Sequence, residues 1–269
     1  MPATAPLVES AKAAKQASVH VSEIFSSIQG EGTELGKAHL FVRLYGCHLQ
    51  CRFCDTPETV TGLQPPKFRP PSFRFLEADE RIENPCSAEQ LYTLIQKAEV
   101  EHGPHDAVAI TGGEPLIQAQ FLTRLLPLIR EGGQRIYLET SGDLVGALAV
   151  VQPWIDIIAM DLKLPSSAGQ RPRWRLHRDF LAKALEGTAS LTIKVVVNNT
   201  TTDADICEAR NLVAEFAPDI PFVLQPMTAI SGAKDVPEMA DLQRWRELVR
   251  ERLSDVRIIP QMHHFMGLR

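Results

Sequence analysis

Apolar residues come in short runs that stop at polar or glycine-containing turns. "AHLFVRLY" (38–45) ends at Gly46, and "DAVAIT" (106–111), "RIYLE" (135–139), "DIIAMD" (156–161), "LTIKVVV" (191–197), "PFVLQ" (221–225) and "VRII" (256–259) follow. Runs of this length bounded by turn formers predict buried strands. Helices are expected between them, near 118–131, 143–151, 177–186, 203–216 and 238–253. Another opens at Ser87, where Gln90 three residues on completes a capping box. Strand and helix alternate, which implies parallel strands joined by right-handed crossovers. Seven candidate strands fall short of a closed eight-stranded barrel, and a doubly wound open sheet competes with it. Residues 57–85 break the rhythm: Pro57, Pro65, Pro66, Pro70, Pro71 and Pro85 forbid a regular helix, and an irregular excursion is expected there. No Gly-Ser linker and no repeat divides the chain, so one domain over 19–269 is expected. Residues 1–18 read as a frayed tail or a short surface helix.

Composition narrows the class. Of 269 residues, 44% are hydrophobic and 23% charged, a globular balance in a chain long enough to build a core without disulfides. The net charge of −5 argues against non-specific nucleic-acid binding. Five cysteines, three of them crowded together, do not make a secreted disulfide framework; reduced thiols and a cytoplasmic home fit better. No apolar stretch is long enough to span a bilayer, and the N-terminus does not read as a signal peptide.

Candidate chemistry gathers where the strands end. The cysteines, "GGEP", "ETSG" (139–142), "DLK" (161–163), "NNT" (198–200), "QPM" (225–227) and "PQMHH" (260–264) each follow a predicted strand. In parallel α/β folds that edge is the active face, although βα loops are polar in any case. Within "GCHLQCRFCDT" (46–56), Cys47, Cys51 and Cys54 lie close enough to aim at one point. A structural zinc site wants four ligands, and His48, adjacent to Cys47, would supply a fourth only awkwardly. Three thiolates instead suit a four-iron cluster that keeps one iron open for a substrate or cofactor. "TGGEP" (111–115) adds two glycines that let backbone approach a ligand, and Glu114, which can bond an amine.

The Cys-x3-Cys-x2-Cys spacing with Phe53 before its last cysteine, and the Gly-Gly-Glu after the next strand, resemble the radical S-adenosylmethionine (SAM) superfamily. "EIFSSIQGEG" (23–32), "FVRLYGCHLQCRFCDT" (41–56), "LKLP" (162–165), "LQPM" (224–227) and "QMHHF" (261–265) resemble, within it, the 7-carboxy-7-deazaguanine synthase family, from about residue 21 to the C-terminus. The resemblance implies an incomplete parallel βα barrel of about six strands. It implies a 4Fe-4S cluster on Cys47, Cys51 and Cys54, S-adenosylmethionine, and Mg²⁺ at Thr56 with Asp55 beside it. A deoxyadenosyl radical would take hydrogen from C6 of 6-carboxy-5,6,7,8-tetrahydropterin, and ring contraction with loss of ammonia would give 7-carboxy-7-deazaguanine. Ile28, Gln29, Gly30, Glu31, Arg43, Thr111 and His263 are then expected at the substrate. Arg43 suits its carboxylate, since a guanidinium grips it with two hydrogen bonds. Phe53, Gly112, Gly113, Glu114, Asp161, Lys163, Gln225 and Pro226 are expected at the cofactor, with the late loop continuing to Thr228. A flavodoxin- or ferredoxin-type electron donor and a homodimer are implied as well.

Plainer readings cover the rest. Cys86 and Cys207 read as ordinary thiols, since free cysteine packs as a small hydrophobe. His20, His39, His102, His105 and His177 have no metal spacing, and His264 reads as surface. The basic run "RPRWRLHR" (171–178) could meet nucleic acid or phosphate, but in an acidic chain a solvated loop is the simpler account. Two other functions compete: an activase that makes a radical on a partner protein, and a zinc-stabilised or electron-transfer module without catalysis.

Overall fold

In a strand, successive side chains point to opposite faces, and here the two faces carry different chemistry. A computed structural model describes residues 18–60, 69–76, 80–228 and 235–268. Its strands are β1 (Ser18–Val19), β2 (Val21–Ile28), β3 (Ala38–Leu44), β4 (Ser72–Phe75), β5 (Arg81–Glu83), β6 (Cys86–Ser87), β7 (Ala107–Gly112), β8 (Ile136–Thr140), β9 (Ile157–Asp161), β10 (Ser190–Val197), β11 (Phe222–Pro226) and β12 (Val256–Ile258). Its helices are α1 (Ala88–His102), α2 (Ala119–Glu131), α3 (Val145–Val151), α4 (Pro165–Ala168), α5 (Trp174–Leu185), α6 (Asp203–Phe216), α7 (Met239–Arg250) and α8 (Met262–Met266).

Ten strands form one sheet in the order β12-β11-β10-β9-β8-β7-β3-β2-β4-β5. The seven from β3 to β12 run parallel. The end strands β12 and β5 do not pair, so the barrel stays open. One set of alternating strand residues, including Leu40, Val42, Ile110, Leu138, Ile158, Ile193 and Val195, is buried with helix residues such as Leu91, Leu122, Leu125, Phe180, Leu212 and Trp245. The opposite face buries a small cluster with no helix residue: Phe25, Phe41, Ala107, Ala109, Tyr137, Ile157 and Ala159. Helices thus cover one face only. A doubly wound sheet needs both faces covered, so the partial barrel is the architecture.

The capping box at α1 is formed: Gln90 N donates to Ser87 Oγ at 3.2 Å, and Ser87 N donates to Gln90 Oε1 at 2.9 Å. The expectation for 57–85 needs correction. Among its described residues there is no α-helix, as the prolines require, but β4 and β5 extend the sheet beyond β2. Proline excludes helix interiors, not a short edge strand. The "EIFSSIQGEG" motif, given no element by the pattern, is largely strand: β2 pairs antiparallel with β3. Of the expected tail over 1–18, only Ser18 lies among the described residues. No helix among the described residues is long and apolar enough to cross a membrane.

Candidate active site

The C-terminal ends of the parallel strands open into one cavity. Its wall begins at the cysteine loop, which leaves β3 through Gly46. Gly46 N donates to Thr59 O at 3.1 Å and Cys54 N to Cys51 O at 3.1 Å, which folds the loop into a tight arch. Cys47, Leu49, Cys51, Phe53 and Cys54 line the cavity, while His48, Gln50 and Arg52 are exposed on the other side. None of the three cysteines is in a disulfide. Leu49 N donates to Cys47 Sγ at 3.4 Å, and hydrogen bonds to sulfur of this kind tune iron–sulfur sites. Burial pushes the Cys47 thiol up to about 11 and raises Cys51 as well. Both thiols therefore hold their protons at neutral pH, and a metal centre would have to displace them.

The Gly-Gly turn closes against this loop. A Cβ on Gly113 would lie 2.4 Å from Gly46 O and 2.7 Å from the Cys47 Cβ. Gly112 has a φ of +142°, and a Cβ there would lie 2.1 Å from Leu44 O. Only glycine satisfies both demands. Glu114 is buried behind the turn rather than in the cavity wall. It accepts from Ser141 N at 2.6 Å, Thr140 Oγ1 at 2.9 Å and Leu116 N at 3.0 Å. Burial raises its carboxyl despite these bonds. Glu114 thus fixes the β8 end, and its carboxylate is engaged by protein donors.

Four charges interlock across the cavity. Lys194 Nζ lies 2.5 Å from Glu31 Oε2 and 3.3 Å from Asp161 Oδ2, and Lys163 Nζ lies 2.8 Å from the same Asp161 oxygen. Burial alone would raise Glu31, but the Lys194 ammonium overrides it and holds the carboxyl down to about 2. Burial opposes charge on Asp161 too, yet Lys163 and Lys194 keep its carboxyl below the usual range. Both lysines are held above the ordinary lysine value against the pull of burial, Lys163 chiefly by Asp161 and Lys194 chiefly by Glu31. All four therefore stay ionised at neutral pH. Lys163 also lies 5.1 Å from the Phe53 ring centroid, a favourable cation–π distance. Asp161 Oδ1 and Gln225 Oε1 are buried without a hydrogen-bond partner, and both residues line the cavity. Orphaned acceptors of this kind fit a ligand that brings donors, as an amino group or ribose hydroxyls do.

On the β2 side, Arg43 is braced by Glu23 at 2.8 Å and lies 5.6 Å from the Phe25 ring centroid. Gln29 Nε2 donates to Glu139 Oε1 at 3.2 Å, and Thr111 Oγ1 donates to Glu139 Oε2 at 2.6 Å. The C-terminal segment straps this region. Met262 N donates to Gly30 O at 2.9 Å, and Gln261 Nε2 reaches Glu31 Oε1 at 3.0 Å and Asp55 Oδ2 at 3.4 Å. One ligand atom each from Glu31, Asp55 and His263 lies within 4.8 Å of the others, and the Thr56 hydroxyl is in the same wall. Burial lowers His263.

Of the residues expected from the sequence, Ile28, Gln29, Gly30, Glu31, Arg43, Thr111 and His263 meet in this cavity, as do Cys47, Cys51, Phe53, Cys54, Thr56, Gly112, Gly113, Asp161, Lys163 and Gln225. Glu114 and Pro226 are not in its lining. Sequence reading gave no role to Lys194, Glu139, Tyr137, Thr192 or Gln261, which also line it. Lys194 carried a usable signal: it is the single charged residue of its strand and shares a face with Thr192 and Val196.

A family model described as the Radical SAM superfamily matches residues 41–209. The chain is 39% identical to a 7-carboxy-7-deazaguanine synthase of Geobacter sulfurreducens, over 92% of this chain and 96% of that one. It is 32% identical to one of Archaeoglobus fulgidus, over 92% and 97%. In fold it is similar to the crystal structure of QueE from Escherichia coli, with a TM-score of 0.57 and 24% identity over 91% of this chain and 94% of that chain.

Proposed function

The chain belongs to the radical SAM superfamily and, within it, to the 7-carboxy-7-deazaguanine synthases, and from that premise we propose that its cavity turns 6-carboxy-5,6,7,8-tetrahydropterin into 7-carboxy-7-deazaguanine with loss of ammonia. It is a radical SAM enzyme of 7-deazapurine biosynthesis. One observation carries the detailed reading: three thiols, a glycine turn and a braced arginine converge on a single cavity.

Cys47, Cys51 and Cys54 would hold the 4Fe-4S cluster, and the donor set fits, being three thiols on one face of one loop. S-adenosylmethionine would lie along Gly112 and Gly113, with the unpartnered oxygens of Asp161 and Gln225 offered to its donors. Lys163 and Phe53 flank it, and Pro226 ends the strand that carries Gln225. Bound there, the pair supplies one-electron chemistry able to take a hydrogen atom from carbon. The chain's own residues position the pterin. Arg43, held by Glu23, grips the carboxylate. Gln29, Thr111 and Glu139 form a hydrogen-bonded set facing the ring, with Ile28, Gly30 and Glu31 on the QGEG side. His263 closes over them. The Thr56 hydroxyl and the Asp55 carboxylate are hard oxygen donors, which suits Mg²⁺. Gln261, Met262 and the loop after β2 hold the cover that limits water and stray hydrogen transfer.

A cytoplasmic home, a homodimer, a flavodoxin- or ferredoxin-type electron donor and a single domain over 19–269 complete the proposal. The continuous ten-stranded sheet supports the last of these. The test is one anaerobic assay of reconstituted enzyme with S-adenosylmethionine, Mg²⁺, reductant and the pterin, read by mass spectrometry. 7-Carboxy-7-deazaguanine is the expected product. Release of 5′-deoxyadenosine without it would move the substrate elsewhere. Neither compound, with an intact cluster, would overturn the reading.

A further inference from the structure

The cysteine loop has a second face that the reaction does not use. Cys47, Leu49, Cys51 and Phe53 turn inward, while His48, Gln50 and Arg52 between them are exposed to solvent. Residues 165–173 lie against that outer face. Arg52 N donates to Ala168 O at 2.9 Å, and Gln170 Nε2 donates to Gln50 O at 2.5 Å. A Cβ on Gly169 would lie 3.5 Å from the Arg52 guanidinium. Arg173 Nη1 and His48 Nε2 both lie 2.8 Å from Asp143 Oδ2, so the two segments are pinned through one buried carboxylate.

The charge of this segment is mostly positive. Residues 162–178 include Lys163, Arg171, Arg173, Arg175 and Arg178, with carboxylates only at the bounding Asp161 and Asp179, in a chain of net charge −5. Arg173 is paired with Asp143 and Arg178 with Glu215. Arg52, Arg171 and Arg175 are exposed and make no salt bridge among the described residues. The placement also opposes local stability. Arg171, Arg173 and Arg175 crowd the start of α5, which has no acidic residue in its first turn and no side-chain cap. The positive end of a helix dipole disfavours cations there. Helix α6 follows the usual rule: Thr202 caps Asp205 N, and Asp203 and Asp205 fill the first turn. A merely solvated helix start would gain by resembling α6. Unpaired arginines kept at an unfavourable end, on the outside of a cluster loop, point to function rather than solubility.

We propose that Arg52, Arg171 and Arg175 form the docking surface for a small acidic one-electron carrier protein that reduces the cluster. This rests on the cluster held by Cys47, Cys51 and Cys54. Arg52 lies between two of those ligands in sequence, so a protein seated on it is separated from the cluster by a single loop. One electron passes: the carrier is oxidised by one, the cluster reduced by one, and no bond forms or breaks in the transfer.

The test uses reconstituted enzyme in two forms, Arg52→Glu/Arg171→Glu/Arg175→Glu and, to leave the cysteine loop untouched, Arg171→Glu/Arg175→Glu. Cluster bleaching is followed by stopped flow with either a reduced acidic flavodoxin or reduced methyl viologen, a cationic small reductant. Reversing the charges should slow reduction by flavodoxin about tenfold or more and flatten its salt dependence. Reduction by methyl viologen should be unchanged or slightly faster. Unaltered flavodoxin kinetics with the original salt dependence would overturn the proposal, and so would equal slowing with both reductants, which would assign the arginines to the cluster site itself. Bleaching does not need the pterin, so a wrong substrate assignment leaves this outcome readable.

Discussion

On β10, Ile193, Val195 and Val197 are buried among the helices, while Thr192, Lys194 and Val196 line the cavity. Neighbouring residues of one strand thus sit in opposite surroundings. The helix-facing side is largely apolar, and its contribution is spread over many contacts that each matter a little. The cavity side buries few apolar groups and instead holds Glu31, Asp161, Lys163 and Lys194 in mutual contact. Charges there are tolerable only because each has a partner. Damage on the first side should therefore be graded and confined to stability. On the second it should be abrupt and reach activity.

The sharpest break of that comparison is Cys51→Ala. It should abolish cluster assembly, and with it turnover, while the cluster-free variant unfolds within about 1 kcal/mol of the cluster-free parent, since one half-buried sulfur is removed. Iron and sulfide analysis beside urea unfolding checks both halves. A fully active variant without a cluster would sink the reading of the cavity. Next in size is Lys194→Met, which leaves Glu31 without its cation. Truncating one partner of a buried pair costs about 3–5 kcal/mol, and the positioning of Glu31 and Asp161 is lost with it. The pH dependence carries the signature. In the native chain the Glu31 carboxyl is depressed to about 2 from its ordinary 4.5, so its stabilisation is complete above 4.5 and is lost as pH falls from there toward 2. Without Lys194, burial remains and raises the carboxyl. The acid-side loss should then flatten or reverse, as urea midpoints taken across that window would report. An unchanged slope would mean that Lys194 does not set the charge of Glu31.

The same contrast explains what could be read in the sequence. The helix-facing pattern is regular, and the seven parallel strands and their helices were legible within a few residues of their ends. Strand β2 was not, because a register irregularity between Val21 and Glu23 breaks its alternation. Strand β4, four residues among prolines, was hidden by residues that exclude a helix but allow an edge strand. In the site, the crowded cysteines, the glycine pair and the QGEG segment were legible because their spacing is local. Glu139 and Lys194 were not, because their partners lie far away: Glu139 meets Gln29 across 110 positions, and Lys194 meets Glu31 across 163. Spacing in sequence has no information about pairs that only the curvature of the sheet brings together.

On the graded side, Leu122→Ala is the informative change. Leu122 in α2 is fully buried in the helix-covered core, and removing its side chain should cost about 2–5 kcal/mol. The folded fraction should keep its kcat, its cluster content and its acid-side pH slope. Loss of cluster at full folding would mean that the two faces are mechanically coupled, and that the division drawn between them is wrong.

The mildest expected effect falls where the site meets its cover. A Cβ on Gly30 would lie 2.6 Å from His263 Nδ1, 2.7 Å from His263 N and 2.8 Å from its Cβ. Two of those three atoms belong to the main chain or its first side-chain carbon, so no rotamer change relieves the contact and the strap itself must shift. Gln261 would move with it, releasing Glu31 and Asp55. Gly30→Ala should therefore raise KM for the pterin about tenfold, the equivalent of 1.4 kcal/mol, with kcat changed less because the cysteine loop is untouched. His263→Ala removes only the imidazole and keeps the Met262–Gly30 hydrogen bond, so its KM should rise less. Equal effects of the two would locate the contribution in the imidazole alone. An unchanged KM for Gly30→Ala would mean that the C-terminal segment packs against the site without covering the substrate.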